Sequence, residues 1–166
     1  MEMNEKEIEI LEILEDNARI PLDVLADMVD LSEEEVEKTI TSLEEQNIIL
    51  NYSSVINWDK AAGKDGVVAM IDVKVTPKRE VGFDDVAERI YRFPEVKTVY
   101  LMSGAYDLSV QIEGKTMKEV AFFVSNKLST LDSVLSTTTH FLLKKYKHDG
   151  VIFEPEQKDK RIVVSP

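Results

Sequence analysis

Apolar residues recur at helical spacing in three short segments at the start of the chain. The first segment covers residues 5–15, the second follows Pro21, and the third follows Ser32, which opens a Ser-x-x-Glu capping box. Asn47 suits a left-handed end to the third helix, and residues 48–56 favour two short strands. This order is typical of a winged helix-turn-helix, although a small helical bundle used for dimerisation would share the three helices.

The second half of the chain has mixed periodicity and follows a polar linker over residues 57–66. Its patterns predict a strand over 67–76, a helix over 83–93, a hairpin over 99–112, a helix over 117–128 and a strand over 134–146. This βαββαβ order is typical of a ferredoxin-like sandwich. We therefore expect an α+β chain, with a winged helix-turn-helix domain over residues 1–56 and a ferredoxin-like domain over residues 67–166. The latter includes a polar tail, in which residues 162–164 favour an added edge strand.

The hairpin is the stretch around which the second half is organised. Its turn, Ser103-Gly104-Ala105, contains a glycine that lets the backbone turn or be approached closely. Tyr106 and Asp107 follow at once, so we expect a hydroxyl and a carboxylate beside exposed amides at the mouth of the hairpin. Two interpretations stay open from the residues alone: ordinary turn chemistry, in which Asp and Gly are common, or contact with a small molecule.

Composition excludes several classes of site. The 166 residues include no cysteine and only two histidines, which argues against disulfides, thiolate metal sites and zinc. No apolar run approaches a membrane span, and the acidic N-terminus does not resemble a signal peptide, so we expect a cytoplasmic protein without a membrane partner. Nucleophile-elbow, metal-cluster and phosphate-loop motifs are absent from the sequence, so we expect neither an enzyme nor a bound cofactor.

Charge is distributed very unevenly along the chain. Residues 1–50 carry 16 acidic and three basic side chains, a net charge of −13, whereas the whole chain has a net charge of −12. Residues 51–166 therefore carry a net charge of +1. Such an asymmetry predicts two units with different partners.

Several short motifs occur in the order found in a known family. They are residues 11–19, Leu25-Ala26, Leu31-Ser32, Ile48-Ile49, residues 103–107 and Thr137-x-Thr139. Through them the chain resembles the Lrp/AsnC (feast/famine) transcription regulators of bacteria and archaea, over nearly its whole length. The resemblance implies an N-terminal domain that binds DNA and a C-terminal domain that forms dimers, commonly assembled into octamers.

The resemblance also implies an amino-acid effector, bound where dimers meet. The effector-binding candidates that it carries over are Ser103, Gly104, Ala105, Tyr106, Asp107, Ser136 and Thr137. The chemistry agrees, because a free amino acid needs a carboxylate for its ammonium group and N–H donors for its carboxylate. Asp107 and the amides around Gly104 offer both.

The third helix departs from the family pattern. It carries Thr39 where members usually have arginine, and it offers one basic side chain against six acidic ones. The DNA-binding candidates are Ser32, Glu34, Glu35, Lys38, Thr39, Ser42, Asn51 and Tyr52. We expect a sequence-specific DNA-binding regulator that responds to an amino acid or related small molecule. The alternative is an oligomeric amino-acid-sensing or protein-interaction module whose acidic helices do not bind DNA unaided, because phosphate attraction supplies most non-specific affinity.

Overall fold

The computed structural model describes residues 3–58, 60–61, 66–76 and 82–153. Packing divides the chain into two compact units, Met1–Val55 and Ile56–Pro166, which we call the head and the sheet unit. Part of the predicted linker, at residues 59 and 62–65, lies outside the described residues. The edge strand predicted over residues 162–164 lies outside them as well. Within the described part of the chain, every helix is too short or too polar to cross a membrane.

Three helices form the head, as the apolar spacing predicts. They are α1 (Glu5–Asp16), α2 (Leu22–Met28) and α3 (Glu33–Glu45). Their apolar faces meet in one buried cluster, which consists of Ile10, Leu25, Ala26, Val29 and Val36. Capping boxes fix the starts of α1 and α3, through Asn4 with Glu7 and Ser32 with Glu35. The predicted helices are therefore confirmed, and the box at Ser32 is formed.

The predicted wing strands are wrong. Residues 48–56 lie outside any strand of the described chain. Asn47 has a φ of 55° and ends α3 in the left-handed conformation, while the Ile48 N–H donates to the Leu43 carbonyl at 2.9 Å. No described residue between Asn47 and Asn57 has a positive φ, which tight two-residue hairpin turns require. The chain therefore leaves α3 as an irregular segment.

The sheet unit contains one four-stranded antiparallel sheet. Its strands are β1 (Val67–Val75), β2 (Val96–Leu101), β3 (Leu108–Gly114) and β4 (Val134–Phe141). They lie in the order β2-β3-β1-β4. Two helices lie between strands in the chain, α4 (Phe83–Tyr91) and α5 (Met117–Phe123). This order confirms the ferredoxin-like α+β prediction.

The two faces of the sheet differ in burial. Alternate residues of β1 are fully or almost fully buried, at Ala69, Ile71, Val73 and Val75. They pack with apolar residues of β3, α4 and α5 in the main core. The intervening residues of β1, such as Met70 and Asp72, are only half buried, so the sheet has one helix-covered face and one open face.

Three local features differ from the sequence predictions. α5 ends at Phe123 and continues as a π-helical turn over Val124–Leu128, which periodicity does not distinguish from a regular helix. β4 ends at Phe141, earlier than predicted, because β1 starts at Val67 and offers few further partners. A short hairpin then pairs β5 (Lys147–His148) with β6 (Val151–Ile152). Its Asp149-Gly150 turn has positive φ at both residues and is a recognisable signal that the sequence analysis missed.

Candidate functional site

The start of α3 uses two of the residues predicted to contact DNA. The Ser32 N–H and hydroxyl donate to Glu35 Oε2 at 2.9 and 2.6 Å, and the Glu35 N–H donates back to the Ser32 hydroxyl at 3.3 Å. These hydrogen bonds hold the pKa of the Glu35 carboxyl below its ordinary value. Both side chains are exposed, but their polar atoms already serve the capping box.

The remaining α3 candidates are engaged within the helix. The Lys38 ammonium lies 2.7 Å from a Glu34 carboxylate oxygen, one turn away. The Thr39 hydroxyl donates to a main-chain carbonyl one turn earlier at 2.8 Å, and the Ser42 hydroxyl accepts from the Gln46 side chain at 2.8 Å. Exposed ion pairs of this kind contribute little to stability. Lys38 could therefore leave Glu34 and pair with a DNA phosphate at a small cost in free energy.

The segment after α3 is tied back to that helix by Tyr52. The Tyr52 hydroxyl donates to Glu44 Oε1 at 2.8 Å. Burial of the phenol, followed by this hydrogen bond, raises the pKa of Tyr52 to about 12. The neighbouring candidate Asn51 is exposed. The structure therefore brings the Tyr52 side chain beside α3, although no wing hairpin forms.

The mouth of the β2–β3 hairpin is held by main-chain hydrogen bonds. The Met102 N–H donates to the Asp107 carbonyl at 2.8 Å, and the Asp107 N–H donates to the Val73 carbonyl at 3.0 Å. The turn residues 103–105 are exposed. Gly104 has a φ of 158°, and no atom lies within 4 Å of the position that a Cβ would take there. The turn is therefore exposed and has free space on the side where a Cβ of residue 104 would lie.

The Asp107 carboxylate has two partners inside the sheet unit. Its Oδ2 accepts from the Val75 N–H at 2.9 Å, and its Oδ1 lies 3.4 Å from the Lys74 ammonium. The hydrogen bond from Val75 and, after it, the one from Lys74 hold the pKa of Asp107 below its ordinary value. Pairing of β1 with β3 ends at Val73, so the carboxylate supplies the acceptor that the strand no longer gives. Asp107 thus stabilises the end of β1, a role that the sequence argument did not assign to it.

The two β4 residues predicted beside the hairpin lie on opposite faces of the sheet. Ser136 is paired with Lys74, and Thr137 is paired with Val73. Neighbouring residues of a strand point to opposite faces, and Val73 is fully buried under the helices. The structure therefore corrects the expectation that both line one site: Ser136 shares the open face with Lys74, whereas Thr137 does not.

Thr138, which was not predicted, connects β4 to the hairpin. Its hydroxyl lies 2.7 Å from the Tyr106 hydroxyl, across 32 residues of sequence. On the same open face, His140 Nε2 lies 3.1 Å from Asp72 Oδ2. Thr138 and His140 gain their partners through the pairing of β4 with β1, and Lys74 gains Asp107 through the pairing of β1 with β3. Only a correct register could therefore have selected them from the sequence.

A metal site would require several ligating side chains close together. Over the described ranges, no group of three or more His, Cys, Asp or Glu residues could hold a metal ion. The candidate regions instead offer exposed main-chain amides, hydroxyl groups and ion pairs. At the hairpin, these groups are suited to hydrogen bonding with a small polar molecule. At α3, few basic side chains are available to bind a polyanion such as DNA.

Two family descriptions match the two units. A winged helix-turn-helix DNA-binding domain matches residues 3–49. An Lrp/AsnC ligand binding domain matches residues 68–152, which is half of the chain. The chain belongs to the Lrp/AsnC family. It is therefore a transcriptional regulator with a helix-turn-helix domain, as the sequence motifs predict.

Individual relatives agree with the family membership. The chain is 63% identical to YugG of Bacillus subtilis, an uncharacterized HTH-type transcriptional regulator, over the full length of both proteins. Among solved structures, it resembles the regulator NMB0573 of Neisseria meningitidis in complex with L-Met, with a TM-score of 0.69 and 24% identity over 89% of this chain and 94% of that one. It also resembles the feast or famine regulatory protein Rv3291c of M. tuberculosis complexed with L-methionine, with a TM-score of 0.71 and 18% identity over 92% of this chain and 100% of that one. At these identities the two structures establish the fold of this Lrp/AsnC member.

Proposed function

We propose that this Lrp/AsnC regulator binds specific DNA sequences through α3 and responds to an amino acid, or a close analogue, bound at the hairpin mouth. The observation that carries the proposal is that one chain contains both a helix-turn-helix domain and an Lrp/AsnC ligand binding domain. The L-methionine complexes of two proteins of similar fold support an amino acid as the effector. As a DNA-binding transcriptional regulator, the protein would act in the cytoplasm.

The effector site is built from the exposed turn and the open sheet face. The turn residues around Gly104 are exposed, and main-chain N–H groups of such a turn suit a carboxylate. Lys74 and Ser136 are paired on the open face, where Lys74 contacts Asp107 and Thr138 contacts Tyr106, the two residues that follow the turn. We assign Asp107 the role of holding Lys74 and the end of β1 in place. A carboxylate that accepts two hydrogen bonds can still accept a further one. The contact of Asp107 with the effector's ammonium group therefore stays a prediction.

The α3 surface would bind DNA only weakly as a single unit. Lys38, Lys6 and Arg19 are the basic side chains of the first 50 residues, and Lys38 already pairs with Glu34. At most about three phosphates could be neutralised, so the log–log salt slope per head should be shallower than about −3. Assembly would multiply such modest affinities.

The sheet unit would supply that assembly through residues 67–147. Support comes from the open sheet face, which carries Met70 half buried and Tyr100 exposed, whereas the residues of β1 on the other face, from Ala69 to Val75, are almost fully buried. We propose at least a dimer, with octamers as the larger assembly. Sedimentation that finds a stable monomer at micromolar concentration would contradict this part of the proposal.

The main test combines DNA retention and ligand calorimetry. The intact protein should retain DNA from its own upstream region at low salt, with affinity falling as salt rises. Calorimetry should detect saturable binding of at least one common amino acid, and Tyr106→Phe should weaken it, because the hydroxyl pair with Thr138 is lost. No binding of any common amino acid to the wild type would remove the effector proposal while leaving DNA binding intact.

A second function is favoured by the net charge of −13 over residues 1–50. The head would then recognise a basic protein instead of DNA, and the sheet unit would still sense a small molecule. This alternative predicts that DNA is not retained even at low salt. It also predicts that charge reversal on α3 gives no gain in DNA affinity.

A further inference from the structure

The charge pattern over residues 133–153 is opposite to that of the head. These residues include a single acidic side chain, that of Asp149, and three lysines: Lys144, Lys145 and Lys147. The head, by contrast, carries 16 acidic and three basic side chains over residues 1–50. A cluster of basic side chains on one element is the electrostatic signature of a surface that contacts a polyanion.

The three lysines lie at the start of the hairpin that β5 and β6 form, and we call residues 144–152 the basic hairpin. The Phe153 N–H donates to the Tyr146 carbonyl at 3.0 Å, which continues the pairing of β5 with β6 by one position. The Phe153 side chain is buried, and its carbonyl accepts from the Asn57 side chain at 3.2 Å. The basic hairpin is therefore anchored in the sheet unit through the residue that follows it, whereas 71% of Tyr146 is exposed.

The lysines of the basic hairpin differ in the partners they already have. The Lys144 ammonium lies 5.1 Å from the centre of the Tyr146 ring and has a further partner. The side chains of Lys145 and Lys147 make no hydrogen bond or ion pair with the residues that the structure describes. Asp149 lies 3.5 Å from the imidazole of the residue before it. Two lysine charges are therefore available to an anionic partner.

The head offers few cations to the phosphates of DNA. Phosphate contacts supply most of the non-specific affinity of a DNA-binding protein. Of the three basic side chains of the head, that of Lys6 pairs with Glu9 at 2.9 Å and that of Lys38 pairs with Glu34 at 2.7 Å. The uncommitted lysines of the basic hairpin would supply the phosphate contacts that the head lacks.

We propose that the basic hairpin contacts the phosphate backbone of the DNA to which the regulator binds. Lys145 and Lys147 pair with phosphates, and the exposed Tyr146 hydroxyl donates to the same backbone. Such contacts are independent of base sequence, so they add affinity, while specificity stays with α3. This inference rests on the proposed DNA-binding function and extends it from the head to the sheet unit.

The test measures how DNA binding by the full chain depends on salt. Fluorescence anisotropy follows the binding of a duplex from the protein's own upstream region and of an unrelated duplex of equal length. Lys145→Gln with Lys147→Gln should weaken both complexes at least about tenfold at about 100 mM salt and make the log–log salt slope shallower by about two. The loss should be equal on the two duplexes, because phosphate contacts carry no sequence information.

The matched control is Lys97→Gln with Lys118→Gln. Both lysines are exposed, and within the described part of the chain their side chains make no hydrogen bond or ion pair. Lys97 lies on β2, the edge strand farthest from β4 in the sheet, and Lys118 lies on α5. The control removes two positive charges from the same unit and should change the affinity and the slope far less. An equal loss in the two double variants would overturn the proposal, because overall charge would then explain both.

Sedimentation of the same variants separates DNA contact from self-association, because the acidic head of a second copy could also attract the basic hairpin. We expect Lys145→Gln with Lys147→Gln to assemble like the wild type. Loss of assembly together with DNA binding would assign the hairpin to a second copy and overturn the proposal. A wild-type affinity and slope in this variant would overturn this inference alone. Absence of DNA binding in the wild type would overturn the proposed function as well.

Discussion

The head and the sheet unit differ in the size of their buried cores and in their surface charge. The head buries one small cluster between three short helices and concentrates acidic residues on its surface. The sheet unit buries a core with more than twice as many residues. Counted over its whole sequence, it has almost no net charge. Each unit nevertheless matches its own family description, a helix-turn-helix domain for the head and an Lrp/AsnC ligand binding domain for the sheet unit. The fold of each unit therefore follows its apolar pattern, and surface charge is what we expect to separate their partners.

The ion pairs and caps illustrate the same difference. On α3, polar side chains bond to neighbours three or four residues away, as in the Ser32–Glu35 box and the Glu34–Lys38 pair. In the sheet unit, Asp107 and Tyr106 bond to residues more than 30 positions away. The head's surface is thus specified locally, while the candidate effector site exists only when the strands are paired.

The largest effect should come from the sheet core. Ile71→Ala should lower the free energy of unfolding of the sheet unit by about 2–5 kcal/mol, because Ile71 is fully buried and leaves a cavity. Urea unfolding measures the loss. Leu143→Ala, at a side chain that is 90% exposed, should stay within about 0.5 kcal/mol of the wild type. Hydrogen exchange at Leu25 should keep its protection; an equal loss there would show that the two units unfold together.

Charge reversal on α3 should have the next largest effect. Glu34→Lys with Glu37→Lys should raise non-specific DNA affinity by about tenfold to a hundredfold at about 50 mM salt, because two further phosphates can be neutralised. Fluorescence anisotropy over a salt series measures the affinity and the slope. Asp23→Lys with Asp27→Lys makes the same change in charge on exposed positions of α2 and should gain less. Equal gains would show that α3 is not the helix that faces DNA.

Removal of the α3 cap should have a smaller effect. Ser32→Ala should destabilise the head by about 0.5–2 kcal/mol, since the Glu35 N–H loses its side-chain acceptor. Asn4→Ala removes the equivalent cap of α1 and should cost a similar amount in thermal unfolding. If Ser32 serves only as a cap, the two variants should bind DNA alike once folded. A selective loss of affinity in Ser32→Ala would restore it as a DNA contact.

The smallest effect concerns Asp107 and depends on pH. Because its folded-state pKa is lowered from an ordinary value of 3.8, ionised Asp107 stabilises the fold above that value. The stability difference between wild type and Asp107→Asn should therefore be constant at neutral pH and shrink as the pH falls through and below 3.8. Denaturant unfolding at several pH values measures this difference. Asp27→Asn, in the head, is the control; a pH-independent gap for Asp107→Asn would contradict the pairing with Val75 and Lys74.

The sequence by itself determined the elements that depend on local spacing. Apolar periodicity placed the three head helices, α4 and the four main strands, and the Ser32 box follows directly from a three-residue spacing. The charge asymmetry is likewise a property of the sequence. Local order also misled, because residues 48–56 have strand-forming composition but no partner strand in the described chain.

Only the tertiary structure decided which side chains meet. The pairing of β1 with β4 placed Ser136 and Thr137 on opposite faces and brought Thr138 to Tyr106. The end of pairing at Val73 left the Val75 N–H for Asp107 to accept. A shift of one residue in register reverses the faces of a strand, and no local pattern records the register between strands more than 30 residues apart. For that reason the apolar pattern located the hairpin, while the fold alone assigned Asp107 its partners.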